Sequence, residues 1–471
     1  MDNTSQANNQ ITIKTELAKR IQEQLGENVY LCYQCIKCSN GCPVGEFFDW
    51  QPNQIMRALQ LGDEEIALHS KTPWLCASCQ TCSTRCPQGL DITTIMEFLT
   101  RESMARGIKP EVSEVNIFNE AFMREIRLWG RAYELGLMAE IKLRTRNFTS
   151  DLDLGAKMIA RNKFNFLPSR TRPRRKVKPI PGSINAIGYY PGCSLHSTSA
   201  EFNESTLAAC KALDMNLVEP KGWVCCGSTA AHRLDPESAL RLPMENLSIF
   251  EQSGLQEVTM PCASCFNRHK AALYEIRQNQ DHKAKIDKQI DYIYRDSVQV
   301  TTLIQSITKH VGPEAIARKA IKPLKDLNVV CYYGCLLTRP PQVTEVEHPE
   351  NPTDMDELMA ALGANVHDWS YKTSCCGAAH SLTRPEIVHK LSSNLIKHAR
   401  EAGAELIVVG CPLCHTNLDA RQFQMKLDEP MPVLFFSQLM VIALGLPEKA
   451  AWLNKNLVDP QQLLIAKGLL S

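Results

Sequence analysis

Beyond residue 184 the chain alternates short apolar, β-branched runs with longer stretches whose apolar positions recur at helical spacing. NAIGYYPGC, NLVEP, EVTMPC, NVVCYYGC, ANVHDW and LIVVGC read as strands, and NLSIFEQSG and EIVHKLSSNLIKHAREAG as helices. Such alternation predicts an α/β domain. The earlier part of the chain is patterned differently. A polar tail runs into a helix over residues 1–28, PNQIMRALQLGDEEIALHS is amphipathic, and residues 91–145 are mostly helical in pattern. From 144 to 183 the sequence turns basic and proline-bearing (RNKFNFLPSRTRPRRKVKPIPG), which predicts a solvated linker more than a patch for an anionic partner. The longest apolar stretch, MPVLFFSQLMVIALGL, is broken by Ser437 and Gln438 and is too short to cross a bilayer comfortably, so it predicts a buried helix.

The α/β part repeats itself. YYPGCSL at 189–195 returns as YYGCLL at 332–337, VCCG at 224–227 as SCCG at 374–377, and PCASC at 261–265 as GCPLC at 410–414. Ala231-His232 returns as Ala379-His380 at nearly the same interval as the last two motifs. Two homologous halves related by a pseudo-twofold are expected, each with its own cysteine set.

Composition sharpens this picture at one point. Among 471 residues the hydrophobic share is 44%, the net charge is +1, and there are 20 cysteines. The balanced charge argues against nucleic acid or a membrane surface as the main partner. The opening MDNTSQANNQ has no signal-peptide pattern, so a cytoplasmic protein is expected, reaching a membrane only through a partner. Thiols in that compartment stay reduced, so a dense, regularly spaced set points to metal ligation.

Eight of these cysteines form two runs of C-x2-C-x2-C-x3-C-P, Cys32 to Pro43 and Cys76 to Pro87. That is the spacing of bacterial ferredoxins, in which the fourth cysteine of each run crosses to the other cluster. The expected quartets are Cys32, Cys35, Cys38 and Cys86 for one cubane [4Fe–4S] cluster, and Cys76, Cys79, Cys82 and Cys42 for the other. Zinc also favours C-x2-C pairs but gives no reason for the same spacing and proline twice.

Each α/β half carries a lone cysteine, an adjacent pair and a C-x2-C: Cys193, Cys225, Cys226, Cys262 and Cys265, then Cys335, Cys375, Cys376, Cys411 and Cys414. Most fall where a predicted strand ends, the usual place for ligands on an open α/β sheet. Five thiolates exceed what a cubane needs, and neighbouring side chains diverge too far to serve two of its corners. Cys210 and Cys331 lie outside both patterns and read as buried fillers.

These motifs resemble heterodisulfide reductase. Residues about 20–110 are similar to its ferredoxin-like C-type component (LCYQC, the two ferredoxin runs, PNQIMR, WLCASC). Residues about 184–450 are similar to its CCG-domain B-type component (YYPGCSLH, CCG, PCASC, YYGCLLTRP, SCCGAAH, GCPLCHTN). The order resembles the fused D-type component of the membrane-associated form. The resemblance implies that all ten α/β cysteines are ligands of two non-cubane [4Fe–4S] clusters, which cleave a disulfide in successive one-electron steps. It also implies an electron-donating partner, an A-type flavoprotein or else a membrane cytochrome b, within a larger hetero-oligomer. The rival function is an electron-relay component of a lactate, glycolate or glycerol-3-phosphate dehydrogenase.

The expected fold is therefore mixed: a helical two-cluster ferredoxin module at 29–143, the linker at 144–183, and CCG halves at 184–320 and 321–471. Disulfide reduction takes up protons, and histidine titrates in the right range. His380 and His232, at equivalent places after each CCG, are the expected proton donors, with His196 and His415 beside ligand positions. Arg233, Arg268 and Arg339 are weaker candidates for attracting an anionic substrate.

Overall fold

The computed structural model describes residues 15–172, 177–182, 186–425, 427 and 429–470. The PRRK core of the basic segment lies outside the described residues. Two compact units divide the chain, 15–76 with 80–113, and Ala77–Cys79 with 114–470. The helices Ser113–Trp129, Glu134–Thr145 and Leu152–Ala160, which the composition shift near 144 places partly with the first module, thus belong to the second unit from Glu114 onward.

The first unit is helical, as the pattern predicts. Helices Glu16–Leu25, Pro52–Leu61, Glu64–His69 and Ile92–Ala105 enclose a core of Leu17, Ile21, Ile55, Met56, Leu59, Ile95 and Phe98. PNQIMR begins the second of these because Pro52 suits the first turn and Gln51 and Gln54 cap it reciprocally. The two cysteine runs fold alike: a short helical turn ends at Cys32 or Cys76, and another, Lys37–Asn40 or Thr81–Thr84, closes the loop.

The second unit holds two four-stranded parallel sheets of identical topology. Strands β1 (Ile187–Tyr189), β2 (Leu217–Val218), β3 (Glu257–Met260) and β4 (Gln299–Thr302) lie in the order β2-β1-β3-β4. Strands β5 (Asn328–Tyr332), β6 (Asn365–Val366), β7 (Leu406–Val409) and β8 (Val433–Phe435) repeat that order as β6-β5-β7-β8. The central strands are buried, as parallel sheets covered by helices require. In each sheet the strand order reverses between the first and third strands, leaving a crevice at their carboxyl ends.

The apolar stretch near residue 431 is only partly the expected buried helix. Its first residues form β8, pairing with β7 from Ile407↔Val433 onward, and the helix proper is Phe436–Ala443. That helix packs against Ala200–Ala212 of the other half, with Phe202 stacked on Phe435 at 4.1 Å and Ser205 Oγ bonded to Ser437 Oγ at 2.7 Å. Both extra cysteines, Cys210 and Cys331, are buried in this core. Among the described residues no helix is long and apolar enough to cross a membrane.

Candidate functional site: two cysteine sets around one cavity

Both crevices are built of cysteine. Cys193 and Cys335 follow the first strand of each sheet, Cys262 and Cys411 follow the third, and Cys265 and Cys414 sit in the first turn of the next helix. The CCG pairs arrive on loops fixed from behind by tyrosine. Tyr190 donates to Val224 O at 2.7 Å, just before Cys225, and Tyr332 donates to Ser374 O at 2.6 Å, just before Cys375. These contacts bring Cys226 Sγ to 3.7 Å from Cys265 Sγ, and Cys376 Sγ to 3.6 Å from Cys414 Sγ. Gly192 and Gly334 allow the approach: both are left-handed (φ 73° and 71°), and a Cβ there would come within 2.8 Å of Cys265 Sγ or 3.0 Å of Cys414 Sγ.

The two sets also meet. Cys262 and Cys411, one from each half, are close enough to shift each other's thiol pKa in opposite directions, and all ten cysteines line one cavity of about 920 Å³. Crowding sets their electrostatics. Hydrogen bonding to Cys193 pushes the Cys225 thiol up and bonding to Cys335 does the same to Cys375, while bonding with Cys225 draws Cys226 down and bonding with Cys414 draws Cys376 down. Buried thiols that compete for protons in this way suit a cationic iron centre.

In the ferredoxin runs, burial pushes the Cys32 thiol up, and Cys86 of the other run and Cys35 add to the shift. Cys38 is raised by burial too, with Cys32 and Cys35 contributing. Of the second quartet, Cys76 and Cys82 pack on the first unit's core, Cys82 Sγ lies 3.5 Å from Thr93 Oγ1, and Cys42 belongs to the same unit. Cys79 groups with the second unit.

Backbone strain marks both loops. Gln34, Ile36, Ser78 and Gln80 are left-handed without being glycine (φ 63°, 58°, 50° and 60°), at equivalent places in the two runs. A β-branched residue there is a genuine outlier, and strain of this kind concentrates at functional sites. Left-handed turns of this sort point successive N–H groups into a concavity that suits anions, iron–sulfur groups included. Asn53 of the PNQIMR motif braces the first loop, donating to Gln34 Oε1 at 3.2 Å and accepting from Ser39 Oγ at 2.6 Å.

Among the described residues no three or more His, Cys, Asp or Glu side chains converge as a single chelated ion requires. A cluster several ångströms across asks for a wider ring of sulfurs, and the paired thiols around the cavity provide one.

The expected histidines are placed otherwise. His380 is fully buried and His232 is half-buried, and neither lines the cavity, although Ala230, Ala378 and Ala379 beside them do. His415 is buried against Phe435, its Nε2 3.0 Å from Val433 O, and burial drives its pKa well down. His196 is exposed and pairs with Glu219 at 3.2 Å. Arg339 is buried with its guanidinium on Thr373 O and Oγ1, both at 2.8 Å, and on Glu350, which braces the loop before Ser374. Arg233 and Arg268 do not line the cavity either.

Sequence pattern alone missed several supports. Asn246 caps Val224 N–H at 2.8 Å and donates to His269 Nε2 at 3.2 Å, leaving His269 Nδ1–H for Cys265 O at 2.7 Å. Asn417 Nδ2 reaches Cys376 O at 3.2 Å and Cys376 Sγ at 3.6 Å. Lys142, Arg384 and Arg421 are the basic residues that line the cavity. Its wall is apolar where Phe118, Phe122, Leu135, Met138 and Ile141 contribute.

The duplicated cysteine crevice matches the family described as CCG, cysteine-rich domain, over residues 187–268 and 329–419, and residues 31–91 match a 4Fe-4S dicluster domain. The chain is 32% identical over 282 residues to the 8-methylmenaquinol:fumarate reductase membrane anchor subunit of Wolinella succinogenes, spanning 59% of this chain and 98% of that one. It is 27% identical over 290 residues to the B-type component of the ferredoxin/F420H2-dependent CoB-CoM heterodisulfide reductase of Methanosarcina acetivorans, spanning 59% and 95%. A third relative, a heterodisulfide reductase C-like protein of Archaeoglobus profundus, is 38% identical over 66 residues, 13% of this chain and 35% of that one. The chain belongs to the family of heterodisulfide reductase B- and C-like iron–sulfur proteins. The C-like dicluster part and the B-like CCG part are fused in that order, and the family's role is that of an iron–sulfur component of an oxidoreductase.

Proposed function

We propose that the chain is the disulfide-handling component of a heterodisulfide reductase-type complex. The observation that carries this reading is the single cavity lined by both cysteine sets, Cys262 of one half and Cys411 of the other included. On this reading the quartets Cys32, Cys35, Cys38 and Cys86, and Cys76, Cys79, Cys82 and Cys42, hold cubane [4Fe–4S] clusters, and the two sets of five hold non-cubane ones. When bound, these groups supply single electrons, so two of them facing one cavity suit the two-electron cleavage of a disulfide, or its formation in reverse.

The chain's own residues do the rest. Tyr190 and Tyr332 fix the CCG loops, the apolar wall limits water, and Lys142 gives an anionic substrate group a counter-charge. An A-type flavoprotein is the proposed electron donor, or else a membrane cytochrome b, through which the chain would reach a membrane.

A second reading, electron relay without a disulfide, draws on the apolar wall and on the Wolinella relative, whose name places it in a fumarate reductase. It covers the dehydrogenase-type relay as well. Turnover decides between them. Anaerobically prepared full chain with reduced viologen and a panel of disulfides is expected to release two thiols per disulfide. Intact clusters that are reduced by viologen but release no thiol from any disulfide would overturn the proposal in favour of relay.

A further inference from the structure

Disulfide reduction needs protons as well as electrons, and neither expected histidine lines the cavity. Four carboxyls do: Glu114, Glu134, Asp151 and Glu386. Asp151 is held by Arg421, 3.1 Å away, which keeps it below its ordinary range although burial pushes the other way. Glu386 is paired with Arg384 at 2.5 Å.

Glu134 is different. It opens the helix Glu134–Thr145, and its two carboxyl oxygens accept from the hydroxyls of Ser197 and Thr198, the latter at 2.9 Å. Among the described residues no salt bridge reaches it. Ser197 and Thr198 are half-buried and directly follow the exposed His196, and Thr198 also lines the cavity.

We propose that Glu134 delivers a proton to the cavity that the two cysteine sets share, and is reloaded from solvent through Ser197 and Thr198. This rests on the disulfide reading above. A disulfide R–S–S–R′ takes two electrons from an external one-electron donor, the S–S bond breaks, and two thiolates form. The Glu134 O–H bond breaks as an S–H bond forms on one of them. The second thiolate takes its proton from water, and the Glu134 carboxylate regains its own along the hydroxyl path.

The electrostatics agree. Burial pushes the Glu134 pKa up to about 7, with the two hydroxyl bonds pulling it partly back, so the acid form persists near neutral pH. The charged groups facing it are Lys163, which lowers it, and Glu125 on the helix Ser113–Trp129; Lys163 is itself tied to Glu201 at 2.6 Å.

The test uses full chain with reconstituted clusters and viologen-driven thiol release between about pH 6 and 8.5, a range that brackets the raised carboxyl. Wild type is expected to slow as pH rises through about 7. E134Q should be about a hundredfold slower below pH 7 and lack that limb. E134D should recover part of the rate, and S197A should slow turnover less than E134Q does. Iron content and visible spectrum should match wild type in all three. A second readout needs no disulfide: the midpoint potential of the cavity clusters should fall with pH across this range in wild type and not in E134Q. Were wild type to release no thiol yet show that E134Q-sensitive slope, the disulfide reading would fail and Glu134 would stand as a proton carrier. An unchanged pH limb and an unchanged slope in E134Q, or in E134D and S197A if E134Q does not fold, would overturn the inference.

Discussion

The two CCG halves share a backbone and differ in the charge around it. Both place cysteines at the carboxyl ends of the first and third strands, fix the CCG loop by a tyrosine, and press a left-handed glycine against a sulfur. In the first half a cation adjoins the site. The Arg131 guanidinium lies 3.4 Å from the Trp223 ring centroid and bonds Trp223 O, close enough for Cys193 and Cys225 to act on it electrostatically. In the second half the cations close to the CCG loop are each paired with carboxylates: Lys372 with Asp356 at 2.9 Å and Asp368 at 3.0 Å, and Arg339, on Thr373 O, with Glu350 at 2.8 Å. Duplication has kept the geometry that gathers sulfur and let the local field diverge. On the proposed reading, the two sites would hold the same kind of cluster and differ in how readily it accepts an electron.

The comparison breaks first at the sulfurs. Cys226→Ser and Cys376→Ser should each remove one site's iron, about four of about 16 atoms per chain, and leave the other site loaded. Iron analysis with acid-labile sulfide checks this, and loss of both sites from one substitution would show that the halves are not independent.

The glycines come next. Gly192→Ala and Gly334→Ala combine a left-handed backbone with a collision on sulfur and should cost about 2–3 kcal/mol of stability. Gly26→Ala, also left-handed but with nothing near its added carbon, should cost only about 1 kcal/mol by thermal denaturation.

Arg131→Gln sharpens the difference between the halves. Removing a positive charge disfavours an added electron, so the first-half site should become harder to reduce by on the order of 50 mV while the second stays put. Redox titration followed by EPR reads both. An equal shift in the two sites would contradict the asymmetry.

The smallest effect belongs to the tyrosines. Tyr190→Phe and Tyr332→Phe each remove a buried hydrogen bond to a loop carbonyl, and each should cost about 1 kcal/mol in chemical denaturation. Similar costs in the two halves would support equivalent roles.

Much of this architecture was legible in the cysteines and short apolar runs. Six of the eight strands fall where β-rich segments stand, because buried parallel strands leave continuous apolar runs. The other two do not advertise themselves. QVTT at 299–302 is an edge strand with polar residues, and VLF at 433–435 runs without a break into an apolar helix that masks its end. The proton path was hidden for a different reason. Glu134 follows no motif, and its meaning depends on Ser197 and Thr198, distant in sequence, through contacts that only the folded chain creates. The histidines illustrate the converse, since His232 and His380 repeat in sequence yet do not line the cavity.

The central claim is that both cysteine sets of the second unit hold clusters, in addition to the two proposed for the ferredoxin runs. Iron quantitation on the anaerobically purified full chain tests it most directly. About 16 iron atoms per chain is the result expected from four clusters of four, and about eight would contradict it by leaving the shared cavity without its metal.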